Sequence, residues 1–289
     1  MIVETALLQV QHLQYVAEQL VNLELETTKH EILHDVNFSI QAQDFVGLVG
    51  PNGSGKTTLS KLLTRILEPT AGKILINGTD YQAVTPQWQL HQYVSMVFQN
   101  VDAQFIGPNF VEDMALYLGN FNWSPAKIQA RIQEISDQLG LEELIERPFN
   151  SLSGGQKQLL AIAEALALQP QLLILDEPTA QLDPENTQLV LNLLQKLQTQ
   201  YQITIILVTH KLAELALTNR VLILNHGTIT QTCATDKLLT DMTLLQQNQL
   251  PVPDTVTIAQ HFQKLTGKQL MLNNSNLETF IQTFKEQLC

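Results

Sequence analysis

GPNGSGKTT, Gly50–Thr58, decides the fold of this 289-residue chain. It fits G-x-x-x-x-G-K-[ST], it ends an apolar β segment read over Val36 to Val49, and it opens a stretch where Leu59, Leu62, Leu63 and Ile66 recur at helical spacing. The spacing predicts a helix over Lys56 to Leu67, stopped by Pro69 and Gly72 before a short strand, Lys73 to Asn77. Glycines in such a turn let successive N–H groups point inward around phosphates, and the helix start adds its positive end. Asn52, Gly53, Ser54, Gly55, Lys56, Thr57 and Thr58 are therefore the nucleotide-binding candidates. Lys56 is placed to reach the β and γ phosphates and Thr57 to hold Mg²⁺.

Downstream, LLILDEP at 172–178 puts Asp176 and Glu177 at the end of an otherwise apolar strand, where open parallel sheets place their ligands. Asp176 suits Mg²⁺ held through water, and Glu177 suits a general base acting on the attacking water. Taken alone, the pair also fits a helix N-cap after a buried strand. SLSGGQKQ, Ser151–Gln158, is a second glycine turn at a helix start, about a hundred residues from the first, and one ATP hardly needs two phosphate cradles.

The rest of the chain alternates strand and helix. Leu7 to Tyr15 and Tyr93 to Phe98 read as β segments, Pro125 to Leu139 and Leu141 to Ile145 as helical with Gly140 between them, and a further helix runs from Ser153 to about Leu168. A helix over Pro184 to Leu197, a strand over Ile203 to Val208 and short strands at Val221 to Leu224 and Thr228 to Gln231 follow. The alternation implies an α/β fold with a parallel sheet. Beyond about Thr235 the composition turns to Gln, Asn, Thr and Leu, with Pro251 and Pro253 as breaks and two amphipathic helical stretches after them, an appendage.

Composition excludes several classes. A net charge of -12 without a basic run argues against a nucleic-acid partner. Two cysteines, Cys233 and Cys289, are too few for a disulfide framework, which fits a reduced compartment. The start MIVETALLQV lacks a signal-peptide pattern and the apolar runs are too short to span a bilayer, so the expectation is a chain that neither crosses a membrane nor is exported.

Leu152 to Gln156 resembles the LSGGQ signature of the ABC ATPases, and the resemblance covers about residues 7–235 with the motifs in order. It implies a P-loop NTPase core with a β subdomain and a helical subdomain at about 100–165, forming one domain over 1–235, and a C-terminal helical extension at 236–289 that either adds dimer contacts or caps the sheet edge. By resemblance, Ser153, Gly154, Gly155 and Gln156 bind ATP held on a partner subunit, Asp183 ends the D-loop, and His210 is the switch histidine, although a lone His at a strand end is more often structural. Gln99 matches the Q-loop glutamine that senses Mg²⁺ and water. Tyr15 resembles the aromatic that stacks on adenine, although as a strand residue it equally suits packing against the sheet.

QNVDAQFIG, 99–107, with Val111, Glu112 and Asp113 is similar to the energy-coupling factor (ECF) transporter ATPases of vitamin and metal-ion uptake. That resemblance implies an ATP-hydrolysing subunit on the cytoplasmic face of the cell membrane. Its partners would be a second ABC ATPase, in a homodimer or heterodimer, an integral membrane subunit, and a separate substrate-binding membrane subunit where one exists. The competing expectations are an exporter ATPase and a non-transport ABC ATPase. A regulatory partner that does not hydrolyse ATP is disfavoured by the intact Glu177 and His210.

Overall fold

A computed structural model of the chain describes residues 6–20 and 27–266. Strands β1 (Leu8–Leu20) and β2 (Thr27–Ile40) precede β3 (Phe45–Val49) and helix α1 (Lys56–Leu63). Next come β4 (Ala71–Ile76), β5 (Thr79–Asp80), β6 (Val94–Val97), α2 (Phe110–Gly119), α3 (Pro125–Leu139) and α4 (Gly154–Ala165). The chain continues through β7 (Leu172–Asp176), α5 (Pro184–Tyr201), β8 (Thr204–Val208), β9 (Arg220–Asn225) and β10 (Thr228–Ala234), then α6 (Thr235–Thr240), α7 (Met242–Gln247) and α8 (Asp254–Thr266).

Two sheets result. The larger has the order β10-β9-β3-β8-β7-β6, parallel except for β10, and the smaller is the antiparallel β2-β1-β4-β5. Because β3, β7 and β8 carry almost only Val, Ile, Leu and Phe, both faces of the larger sheet are buried, as a parallel sheet requires. Side chains alternate across it. Val46, Leu48, Ile174 and Ile206 face α1 and the smaller sheet, whereas Phe45, Leu173, Leu175 and Ile205 face α4 and α5. Ile174 is fully buried, so truncating it to Ala should cost about 2–5 kcal/mol.

A third cluster joins Phe110, Met114 and Leu118 of α2 with Ile128, Ile132 and Ile135 of α3 and Leu160 of α4. A fourth covers the sheet end beside β3, where Leu238, Leu244, Leu245 and Leu250 pack on Val49, Val221 and Ile223. The C-terminal elements thus share a core with the strand that leads into Gly50.

Several elements differ from the sequence expectation. Val36 to Val49 is two strands in different sheets: the chain turns between them at Gln41–Asp44, with the Asp44 carboxylate accepting from the Gln41 N–H at 2.8 Å. The first β segment runs past Tyr15 to Leu20 and pairs with β2 up to Leu20↔Thr27. This polar outer half is held by cross-strand pairing, including Lys29–Glu18 at 3.1 Å, and carries no apolar alternation to reveal it. Helix α1 ends at Leu63, where the Thr64 hydroxyl bonds back to Ser60 O at 3.1 Å and Arg65 takes φ 58°. Leu141 to Ile145 forms turns and no helix, after Gly140 caps α3 at φ 71°. In the appendage, α6 and α7 precede Pro251 and α8 follows it; the second helical stretch after Pro253, and Cys289, lie outside the described residues.

Candidate functional site

Parallel pairing brings four chain segments to one edge. Leu48 and Asp176 both register with Val208, and Leu175 with Val97, so the residues after β3, β6, β7 and β8 emerge side by side. These are Gly50, Gln99, Glu177 and His210, which share the lining of one cleft of about 830 Å³. A carboxyl edge of this kind is where open α/β sheets bind ligands.

The loop from Gly50 to Gly55 forms one wall. Gly55 takes φ 104°, and a Cβ there would lie 2.8 Å from Leu33 Cδ2, so the turn demands glycine. Helix α1 begins at Gly55 with no side-chain cap, which leaves its first N–H groups free for an anion. Lys56 is buried, and its ammonium donates to the carbonyls of Gly50 at 2.8 Å and Pro51 at 3.0 Å. Burial pushes Lys56 below its ordinary pKa, opposed by the charges of Glu177 and Asp176.

Asp176 ends β7 and is buried. Burial pushes its carboxyl up, while a hydrogen bond with the Thr57 side chain opposes the shift. Its Oδ1, like Ser54 Oγ, is a buried polar atom with no hydrogen-bond partner. Ser54 directly precedes Gly55 and Asp176 bonds Thr57 of α1, but neither residue lines the cleft itself.

Glu177 follows at φ 50°, a conformation that strains a side chain with a Cβ, and its N–H is fixed on Val208 O at 2.9 Å. The turn aims its carboxylate into the cleft, where Gln99 Nε2 donates to Oε2 at 3.1 Å and His210 Nδ1 lies 3.2 Å from Oε1. Side chains from two other loops thus meet at the Glu177 carboxylate.

The signature segment stands apart from this cleft. Ser153 caps α4, its hydroxyl accepting from the Gln156 N–H at 3.2 Å while Gln156 Oε1 accepts from the Ser153 N–H at 3.0 Å. A Cβ on Gly155 would overlap the Asn186 carboxamide, so this glycine lets α4 and α5 approach. Asp183 caps α5, accepting from the Asn186 N–H at 2.9 Å, and these bonds hold its carboxyl below the usual range. None of Ser153 to Gln156 lines the cleft of Lys56, although Gly154 lines a smaller neighbouring pocket with Gln99 and Glu177.

Tyr15, the expected adenine platform, is half-buried against the core between the sheets and does not line the cleft. Ile32 does, next to Leu33, which registers with Tyr15. Sequence reading also missed Leu212, Gln249, Leu250 and Pro251 on the cleft wall. In the sequence only Pro251 and Pro253 mark the stretch at 249–251, as chain breaks. Among the described residues no helix is long and apolar enough to cross a membrane.

The family of ABC transporters matches residues 33–180. The energy-coupling factor transporter ATP-binding protein EcfA1 of Oenococcus oeni is 38% identical over 234 residues, covering 80% of this chain and 84% of its own. EcfA1 of Streptococcus pyogenes serotype M1 is 35% identical over 232 residues, 80% of this chain and 83% of that protein. Among solved structures, cbiO1 of Clostridium perfringens, part of the ABC transporter complex cbiONQ, matches with a TM-score of 0.72 at 27% identity, covering 89% of this chain and all (100%) of that one. The ATP-binding cassette MJ0796, a dimer bound to ADP and Pi, matches with a TM-score of 0.67 at 26% identity over 79% of this chain and 98% of that one. The Lys56 loop, the Asp176–Glu177 strand end and the Ser153 signature therefore sit in a cassette ATPase, and the chain belongs to the ABC transporter ATP-binding family.

Proposed function

We propose that this ATPase powers an ECF-type uptake transporter, bound at the cytoplasmic face of the membrane to an integral membrane subunit and to a second ABC ATPase. The observation that carries the catalytic part is the meeting of Gln99, Glu177 and His210 one residue past Asp176, in the cleft of the Lys56 loop. The names of the EcfA1 relatives support the transport part.

ATP phosphates would lie against the free N–H groups of α1 and the Lys56 ammonium, which exchanges the carbonyls of Gly50 and Pro51 for phosphate oxygens. The residues fit Mg²⁺: the Thr57 hydroxyl, the unpartnered Asp176 Oδ1 through water, and the Gln99 carboxamide would hold it. The ion would offset charge on the β and γ phosphates. Glu177 orients a water and takes its proton, while His210 and Gln99 fix the carboxylate and His210 meets the γ-phosphate. Ile32 would offer the base an apolar contact in the cleft, with Tyr15 on the neighbouring strand in register with the adjacent Leu33.

Ser153, Gly154, Gly155 and Gln156 then serve ATP bound on the second subunit, with Asp183 at the junction. The described C-terminal elements α6 to α8 form the extension proposed to contribute dimer contacts.

Capture of the full chain from detergent-solubilised membranes, followed by uptake assays in vesicles, tests the proposal. An integral membrane partner and ATP-dependent uptake are expected. Recovery without any membrane subunit would count against transport, and ATP-driven efflux would point to an exporter.

A further inference from the structure

The loops that carry Glu177 and His210 are joined through a side chain that belongs to neither. Glu214 lies in a 3₁₀ segment, Leu212–Leu217, and is 3% exposed. One carboxylate oxygen accepts a hydrogen bond from the hydroxyl of Thr179, two residues past Glu177. The other accepts from the hydroxyl of Thr209, the residue before His210, at 2.7 Å. Both threonines are buried. Lys211 closes the network: its ammonium lies 3.7 Å from Glu214 Oε1 and donates to the Thr179 carbonyl at 2.7 Å, and its N–H donates to Thr209 Oγ1 at 3.0 Å.

A buried carboxylate is costly unless every lone pair is engaged, and here two hydroxyls and a cation engage it. A buried polar network satisfied in this way is rigid. Rigidity matters at this place. Glu177 sits at a left-handed φ of 50°, and its orientation depends on the loop through Thr179 staying fixed relative to Val208. His210 is half exposed, with its ring 3.2 Å from the Glu177 carboxylate, so its place depends on the two loops keeping their separation. Phosphoryl transfer in such a site is mainly positioning, and a displacement of about 1 Å can cost roughly 10²-fold in rate.

We propose that Glu214 is a positioning residue for hydrolysis: it clamps Thr179 to Thr209 and so holds the Glu177 carboxylate and the His210 ring at their observed separation. The inference rests on the roles given above to Glu177 and His210. It does not touch nucleotide, so its loss acts on turnover and leaves ATP binding alone.

The test compares Glu214→Ala, Glu214→Gln, Thr209→Val, Thr209→Ser and Glu177→Gln in the full chain purified with its membrane partners. For Glu214→Ala, kcat should fall about 10- to 100-fold while KM for ATP stays within about twofold. Glu214→Gln, which keeps the shape, should fall less. Thr209→Val, which leaves the carboxylate in place, should show the same split, and Thr209→Ser should recover most of that loss. It also carries the test if Glu214→Ala does not fold. Folded Glu214→Ala or Thr209→Val complexes with turnover within about twofold of wild type, or with KM rising as kcat falls, would overturn the clamp. Loss of turnover in Glu177→Gln alongside normal turnover in the Glu214 variants overturns the clamp only. Normal turnover in Glu177→Gln overturns the site reading beneath it.

Discussion

Two helices of this molecule begin at a glycine-rich turn, and they begin differently. Helix α1 starts at Gly55 with no side-chain cap and with the buried ammonium of Lys56 beside it. Helix α4 starts at Ser153 with a closed capping box, in which Ser153 and Gln156 satisfy each other. An uncapped, partly buried helix start carries a standing cost that a bound anion removes. A capped one is stable by itself and needs a further approach of ligand to engage it. The first start leaves N–H groups for a ligand within its own chain, and the second, satisfied by its own side chains, fits the role proposed for it towards nucleotide on another chain.

The largest expected effect breaks the α1 side. Glu177→Gln keeps the size of the side chain but removes the base, so turnover should fall about 10²- to 10⁴-fold with ATP affinity unchanged, measured as phosphate release beside equilibrium binding. Lys56→Ala should weaken ATP binding by roughly 10- to 100-fold, the scale of one charge-assisted hydrogen bond, measured by calorimetry.

On the α4 side two of the effects are on stability. Gly155→Ala should destabilise the chain by about 1–3 kcal/mol, because its Cβ meets Asn186; thermal unfolding reads this. Farther along the same helix, burial pushes Glu164 up to about 7 although Gln104 donates to it at 2.9 Å. The folded chain therefore binds a proton more tightly than the unfolded one, and its stability falls as pH rises from about 4.5 to about 7. Glu164→Gln, neutral throughout, should match wild type near pH 4 and exceed it by a margin that grows to about pH 7 and then levels off, at most about 3 kcal/mol. Parallel denaturation curves across that range check the sign.

Strands β3, β7 and β8 were legible because burial on both faces leaves continuous apolar runs, and the phosphate loop and Asp176–Glu177 were legible because each follows such a run. The outer half of the β1–β2 hairpin was not. Its residues, Glu18 and Lys29 among them, face water and pair across strands, so stability there comes from partners distant in sequence. The same limit hid Ile32 behind Tyr15: spacing indicates which strand approaches the cleft but not which side chain turns inward. Glu214 carried no local mark, since its meaning lies in Thr179, 35 positions earlier in the chain. Residues whose chemistry depends on the sheet edge could be read only once β7 and β8 lay side by side.

On the proposed reading the Ser153 turn acts on nucleotide held by another chain. Ser153→Arg places a bulky cation at the exposed start of α4, and its ATP affinity as an isolated full chain is measured beside turnover in the assembled complex. Affinity should stay within about twofold of wild type and turnover should fall by at least about tenfold, the scale of losing one transition-state donor. Affinity of the isolated chain falling in step with turnover, or turnover unchanged, would contradict it.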